Sequence, residues 1–119
     1  MFTQEEKAII AQDYFKLQTL TDSYCEFQSQ NHDWWIILEV EVYQSKRQLS
    51  RNLPKEHVYK LFHRHSEDSG YHEHGEYAEV LDSVLEVINH DDYRLKNRRP
   101  THFEELLEWY RAQRLLQTV

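Results

Sequence analysis

Trp34-Trp35-Ile36-Ile37-Leu38-Glu39-Val40-Glu41-Val42-Tyr43 is the clearest structural signal in the chain. Its even positions, Trp34, Ile36, Leu38, Val40 and Val42, are all apolar. Its odd positions begin with Trp35 and Ile37, turn acidic at Glu39 and Glu41, and end at Tyr43. Successive side chains of a strand point to opposite faces. The pattern therefore predicts a strand over 34–43 with its even face on the core and its odd face outward. Trp34 is then a core residue. Trp35, Ile37 and Tyr43 form an aromatic patch on the other face, which a helix or a partner subunit has to cover.

Upstream, Ser29 to Asp33 reads as a polar turn, and Ser23 to Gln28 as a short strand with Cys25 and Phe27 on one face. The two strands are expected to pair as an antiparallel hairpin. Downstream, residues 44–56 are basic, weakly patterned and contain Pro54, and read as a loop or an irregular edge. His57 to His65 fits two readings. As a strand it places His57, Tyr59, Leu61, His63 and His65 on one face; as a helix it aligns Val58, Leu61, Phe62 and His65. The strand is favoured, because a third strand supports a hairpin that is marginal alone.

Helices are expected before and after this unit in the chain, packed on one face of the sheet. Thr3 and Glu6 form a capping box, and Ile10, Tyr14 and Leu17 follow at i, i+4, i+7, which predicts a helix from Thr3 to Gln18. Glu76 to Ile88 carries Tyr77, Val80, Leu81, Val84, Val87 and Ile88 on one stripe, and Asn89 can end it. Tyr93 to Pro100 is a basic connector. Thr101 and Glu104 make a second capping box, before a helix from His102 to Leu116. The order α-β-β-(β)-α-α predicts one α+β domain over residues 1–119, with a small antiparallel sheet of two or three strands and about three helices.

Composition narrows the function. The 119 residues include sixteen Phe, Trp and Tyr, enough large side chains to hold a small core. Only two glycines are present, Gly70 and Gly75. Phosphate-cradling loops need several glycines to bring backbone N–H groups close to the anion, so no nucleotide cofactor is expected. The longest apolar run is Trp34 to Leu38, far short of the ~18–20 residues of a membrane helix. The opening MFTQEEK lacks the features of a secretory leader. A lone cysteine, Cys25, makes no intrachain disulfide, and a cytoplasmic location is expected. The net charge of −7 is arranged in blocks, with nine acids and no base from 66 to 92. Such blocks pair within a fold or between two copies of it.

Three groups of residues carry possible chemistry. His63/His65 and His72/His74 form two H-x-H pairs, and residues two apart on a strand share a side. Together they offer four imidazoles to zinc or another divalent transition metal. The spacing matches no H-E-x-x-H or Cys-pair signature. Arg94, Lys96, Arg98 and Arg99 form a compact basic run able to contact nucleic acid or another anion. His90-Asp91 resembles the His-Asp pair by which metal phosphohydrolases hold an ion. Those domains are helical and usually longer, and Asn89 to Asp92 reads more simply as the end of a helix. Cys25 reads as a small core residue.

The first expectation is a binding or regulatory module without catalysis or cofactor. It works through a protein partner or self-association, as a homodimer across Trp35, Ile37 and Tyr43 or through the charge blocks. The first alternative is a metal-dependent hydrolase or nuclease using His63, His65, His72 and His74. The second is a nucleic-acid-binding accessory protein using Arg94, Lys96, Arg98 and Arg99.

Overall fold

The computed structural model describes residues 1–42, 46, 50–52, 56–67, 70–95, 105, 108–109 and 112. Helix α1 (Gln4–Ile10) starts at the expected capping box: Glu6 N–H donates to Thr3 Oγ1 at 3.1 Å, and Thr3 N–H donates to Glu6 Oε1 at 2.8 Å. It ends well before Gln18. Tyr14 and Phe15 are both buried, and two adjacent positions do not share one face of a helix. Leu17, the last residue of the expected stripe, is 38% exposed. The chain instead enters strand β1 (Lys16–Leu20), where pairing with the next strand outweighs local helical preference.

Strands β2 (Tyr24–Gln28), β3 (Trp34–Val42), β4 (Glu56–Arg64) and β5 (His72–Tyr77) follow. They form one five-stranded antiparallel sheet in chain order, β1-β2-β3-β4-β5. Helix α2 (Val80–Arg94) completes the order. The α+β class holds, but the expected sheet of two or three strands with three helices is corrected. The sheet has five strands, and two helices, α1 and α2, are described along their length. The expected helix from His102 to Leu116, its capping box, the loop 44–56 and Tyr43 fall wholly or largely outside the described residues.

The faces of β3 are the reverse of those expected. Trp35 and Ile37 are fully buried, whereas Trp34, Ile36, Leu38 and Val40 are half-buried. Register explains the choice. Phe27 stands opposite Trp35 and Cys25 opposite Ile37, while Leu61 faces Ile37 from the other side. All five are fully buried, and full burial of a large apolar side chain stabilises by ~1.5–3 kcal/mol. Trp35 and Ile37 therefore serve the protein's own core, not the interface expected of them. The acidic turn of the odd face was misleading because Glu39 is itself covered. Its side chain is only 5% exposed and pairs with the Met1 ammonium and with His57.

Helix α2 lies against β3, β4 and β5, α1 packs on α2, and Ile9, Ile10, Val80, Val84, Val87 and Ile88 close the core. The apolar stripe expected at 80–88 is thus the buried face of α2. Its flanks differ from expectation. Tyr77 belongs to β5, opposite Tyr59, and Asn89 does not stop the helix, which continues to Arg94. No helix among the described residues is long and apolar enough to cross a membrane.

Candidate metal centre

The end of β4, the start of β5 and one face of α2 meet over the indole of Trp35. His63 stands directly across from Trp35 in the β3–β4 ladder and directly across from His72 in the β4–β5 ladder. The second ladder is irregular: Leu61 faces Gly75 and Phe62 faces Glu73, so His74 is the extra residue of a β-bulge. Bulges re-aim side chains at strand ends. Gly75, next to the bulge, leaves room for the Tyr77 ring, since a Cβ there would stand 2.9 Å from Tyr77 Oη.

The result is a packed group of rings. His63 stacks on Trp35 with centroids 4.1 Å apart and planes 24° apart. His74 and His90 meet the same indole edge-on, at 5.5 and 5.2 Å. One potential ligand atom from each of His63, His72 and His74 lies within 4.8 Å of the others. Asp33, His63 and His65 form a second such group sharing His63.

Carboxylates orient two of the imidazoles. His63 Nε2 lies 2.7 Å from Asp33 Oδ2, with both side chains buried. Burial alone pushes the Asp33 carboxyl up, but the His63 hydrogen bond and charge, with Asn31, carry it below the usual range. For His63, burial outweighs Asp33 and holds the imidazole below its ordinary value, helped by His65 and His72. At neutral pH the pair is therefore a neutral imidazole donating Nε2–H to a carboxylate, which leaves the Nδ1 lone pair available. His74 Nε2 similarly lies 3.1 Å from Glu86 Oε1 of α2. Metal-bound histidines characteristically have a carboxylate on the far ring nitrogen, fixing tautomer and direction. Asp33 also has His65 Nδ1 at 3.4 Å.

A second network holds this floor in place. Trp35 Nε1 donates to Ser29 Oγ at 3.0 Å, and Ser29 Oγ donates to Asp91 Oδ1 at 2.8 Å. Tyr14 Oη and the Gln30 N–H both donate to Asp91 Oδ2 at 3.0 Å. Asp91 is fully buried. It ties α2, the β2–β3 turn and the segment after α1 to the indole beneath the histidines.

The four histidines of the two H-x-H pairs are thus brought to one place, with His65 turned toward Asp33. His90 was missed as a member. Its only sequence signal was the His-Asp dipeptide, read as a helix end when it lies inside α2. Burial, with smaller contributions from His63, His74 and Arg94, outweighs Asp33 and pushes the His90 imidazole down to about 4. Arg94 is exposed at the end of α2, and Lys96, Arg98 and Arg99 lie outside the described residues.

These groups predict an acid response of the metal-free protein. His63 and His90 are harder to protonate folded than unfolded. The unfolded chain then binds more protons once pH falls below ~6.5, so stability declines from there through about 4. Discounted for remaining exposure, the His90 share is on the order of 1–2 kcal/mol by pH 4.5. Urea denaturation in EDTA from pH 7.5 to 4.5 should show this loss, and His90→Gln should reduce it. A midpoint constant across that range contradicts the assignment.

Comparison with known protein families, with curated proteins and with solved structures finds no match to this chain.

Proposed function

We propose that the protein is a metal-binding module whose ligand is a divalent transition-metal ion, held by His63, His72 and His74. The observation that carries this reading is the convergence of three ligand atoms within 4.8 Å, two of them on imidazoles paired with carboxylates. Imidazole nitrogens suit zinc, copper, nickel and iron, and zinc fits a compact nitrogen site without demanding a d-electron geometry. At zinc–nitrogen bonds of ~2.0–2.1 Å, tetrahedral ligand atoms stand about 3.3–3.4 Å apart. Small side-chain rotations bring the three nitrogens to that spacing. Asp33 and Glu86 then act as outer-shell partners that orient His63 and His74.

In this reading the expected binding or regulatory module remains, with a metal ion as its ligand. The ion supplies cross-linking of β4 to β5, so occupancy stiffens the sheet edge next to α2.

The test uses protein whose affinity tag has been removed, since tag histidines bind the same ions. Calorimetric titration with zinc should give one ion per chain. His72→Ala and His74→Ala should each weaken binding by at least about 10-fold while leaving the fold intact, because both residues are outside the hydrophobic core. Absence of saturable binding to the wild-type chain overturns the reading.

A further inference from the structure

The geometry points to His90 as a fourth protein ligand, so that the ion is enclosed by four imidazoles from β4, β5 and α2. This inference rests on the metal-binding reading above.

His90 Nδ1 is buried and makes no hydrogen bond. A buried nitrogen without a partner is unusual in a native interior and calls for an occupant, a water or an ion, and the neighbouring imidazoles favour the ion. The ring is 4.7 Å from His63 and 6.0 Å from His74, centroid to centroid. His63 is in turn 5.2 Å from His72 and 5.9 Å from His74. Four imidazoles bound tetrahedrally at ~2.0–2.1 Å, each centroid about 1.1 Å behind its nitrogen, would have centroids about 5.2 Å apart. The separations of His63 from the other three rings and of His74 from His90, 4.7 to 6.0 Å, bracket that value, and a rotation of His90 is what would bring its nitrogen into the group of converging ligand atoms.

Backbone placement agrees. Glu86 and His90 are four residues apart on α2 and share a face, so the helix that orients His74 also presents His90. The next residue, Asp91, is fixed by three hydrogen bonds, which holds His90 on a rigid element. His65 is the competing donor, but its ring nitrogen faces Asp33.

The consequence is chemical. An ion with four protein ligands has no open position for a water or substrate oxygen, which hydrolysis at zinc requires. A closed site holds its ion as a structural cross-link or belongs to a protein that takes up, carries or senses the ion. The hydrolase alternative needs the open three-histidine form.

Cobalt(II) substituted into the tag-free wild-type chain discriminates the two, with azide as an added ligand. A closed site leaves the visible cobalt spectrum unchanged by azide. His90→Ala opens a position, so the same azide then shifts the spectrum, and zinc affinity falls at least about 10-fold. His65→Ala should change neither. A second measurement needs no variant: on zinc addition, the ¹⁵N resonance of His90 Nδ1 in the wild-type protein should move to a metal-bound position. Wild-type protein that binds cobalt but also takes azide overturns the inference, as does a His90 nitrogen that does not move with zinc. A loss of closure in His65→Ala instead of His90→Ala overturns it too. Failure of the wild-type chain to bind cobalt or zinc at all overturns the metal reading itself.

Discussion

Asp91→Ala is expected to lower the unfolding free energy by about 3–5 kcal/mol, the range for removing one partner from a buried charged network. The carboxylate accepts from Tyr14 Oη, Ser29 Oγ and the Gln30 N–H, and all of it is buried. Alanine removes the acceptor that those three donors share and leaves a void between α2 and the β2–β3 turn, while the Ser29 hydroxyl keeps Asn31 Oδ1 at 3.3 Å. A donor left without an acceptor costs about 1–3 kcal/mol where water does not reach it. Asp91→Asn should be milder. Its amide oxygen still accepts from Tyr14 and Gln30, and its nitrogen can face the Ser29 oxygen. Urea denaturation of the metal-free proteins at pH 7 measures both. A loss under 1 kcal/mol for Asp91→Ala would show that water replaces the network. The effect should reach the histidines as well, because Trp35 Nε1 hangs from the same Ser29 hydroxyl. Near-UV circular dichroism from the indole should weaken in Asp91→Ala before global unfolding.

The strands at 24–28 and 34–42 and the buried stripe at 80–88 were legible because each pattern repeats with its own period over several residues. What failed was arbitration between two apolar alternatives. Residues 34–38 are apolar on both faces, so the inward side depended on partners that periodicity does not contain: Phe27, Cys25 and Leu61 in register. Glu39 argued for the wrong side because its buried pairing with the chain's amino terminus is a tertiary fact. β1 was hidden for a similar reason. Lys16–Leu20 is a short edge strand, and its Leu17 completes an Ile10–Tyr14–Leu17 spacing that imitates a helix. β5 was hidden because His72–Tyr77 has no apolar alternation, and the bulge at His74 breaks its register.

The candidate centre was half legible. Four histidines were identifiable from H-x-H spacing, and the choice of strand over helix for 57–65 decided that His63 would point at its neighbours. Asp33 and Glu86 had no sequence mark, since each is one carboxylate among many. His90 was concealed by the expectation that Asn89 ends the helix. In fact the turn Asn89–Asp92 is helical because Asp91 has hydrogen-bond donors to satisfy in the interior. The trio of donors around Asp91 comes from the segment before β1 and the β2–β3 turn, more than sixty residues upstream. No local pattern links those positions.

Zinc is expected to raise the melting temperature of the wild-type chain on the order of 10 °C. Free ligand at ~1,000 times its dissociation constant stabilises by about 4 kcal/mol, provided that the unfolded chain does not compete. In a domain of this size each kcal/mol is worth several degrees. His63→Ala should abolish the shift, because His63 belongs to both groups of converging ligand atoms. Its own fold remains assessable without metal, where loss of the ring over Trp35 lowers the starting temperature but leaves the core of Phe27, Ile37 and Leu61 in place. Asp33→Asn separates orientation from ligation. It keeps a hydrogen-bonding group against His63 Nε2 but removes the charge that favours Nδ1 as the ligand atom. Outer-shell loss of this kind weakens affinity by about 10–100-fold, so at fixed zinc the shift should shrink by ~1.4–2.7 kcal/mol's worth without vanishing. An equal zinc shift in His63→Ala and wild type would assign the stabilisation to other histidines. A shift in Asp33→Asn as large as in wild type would assign Asp33 to the fold alone.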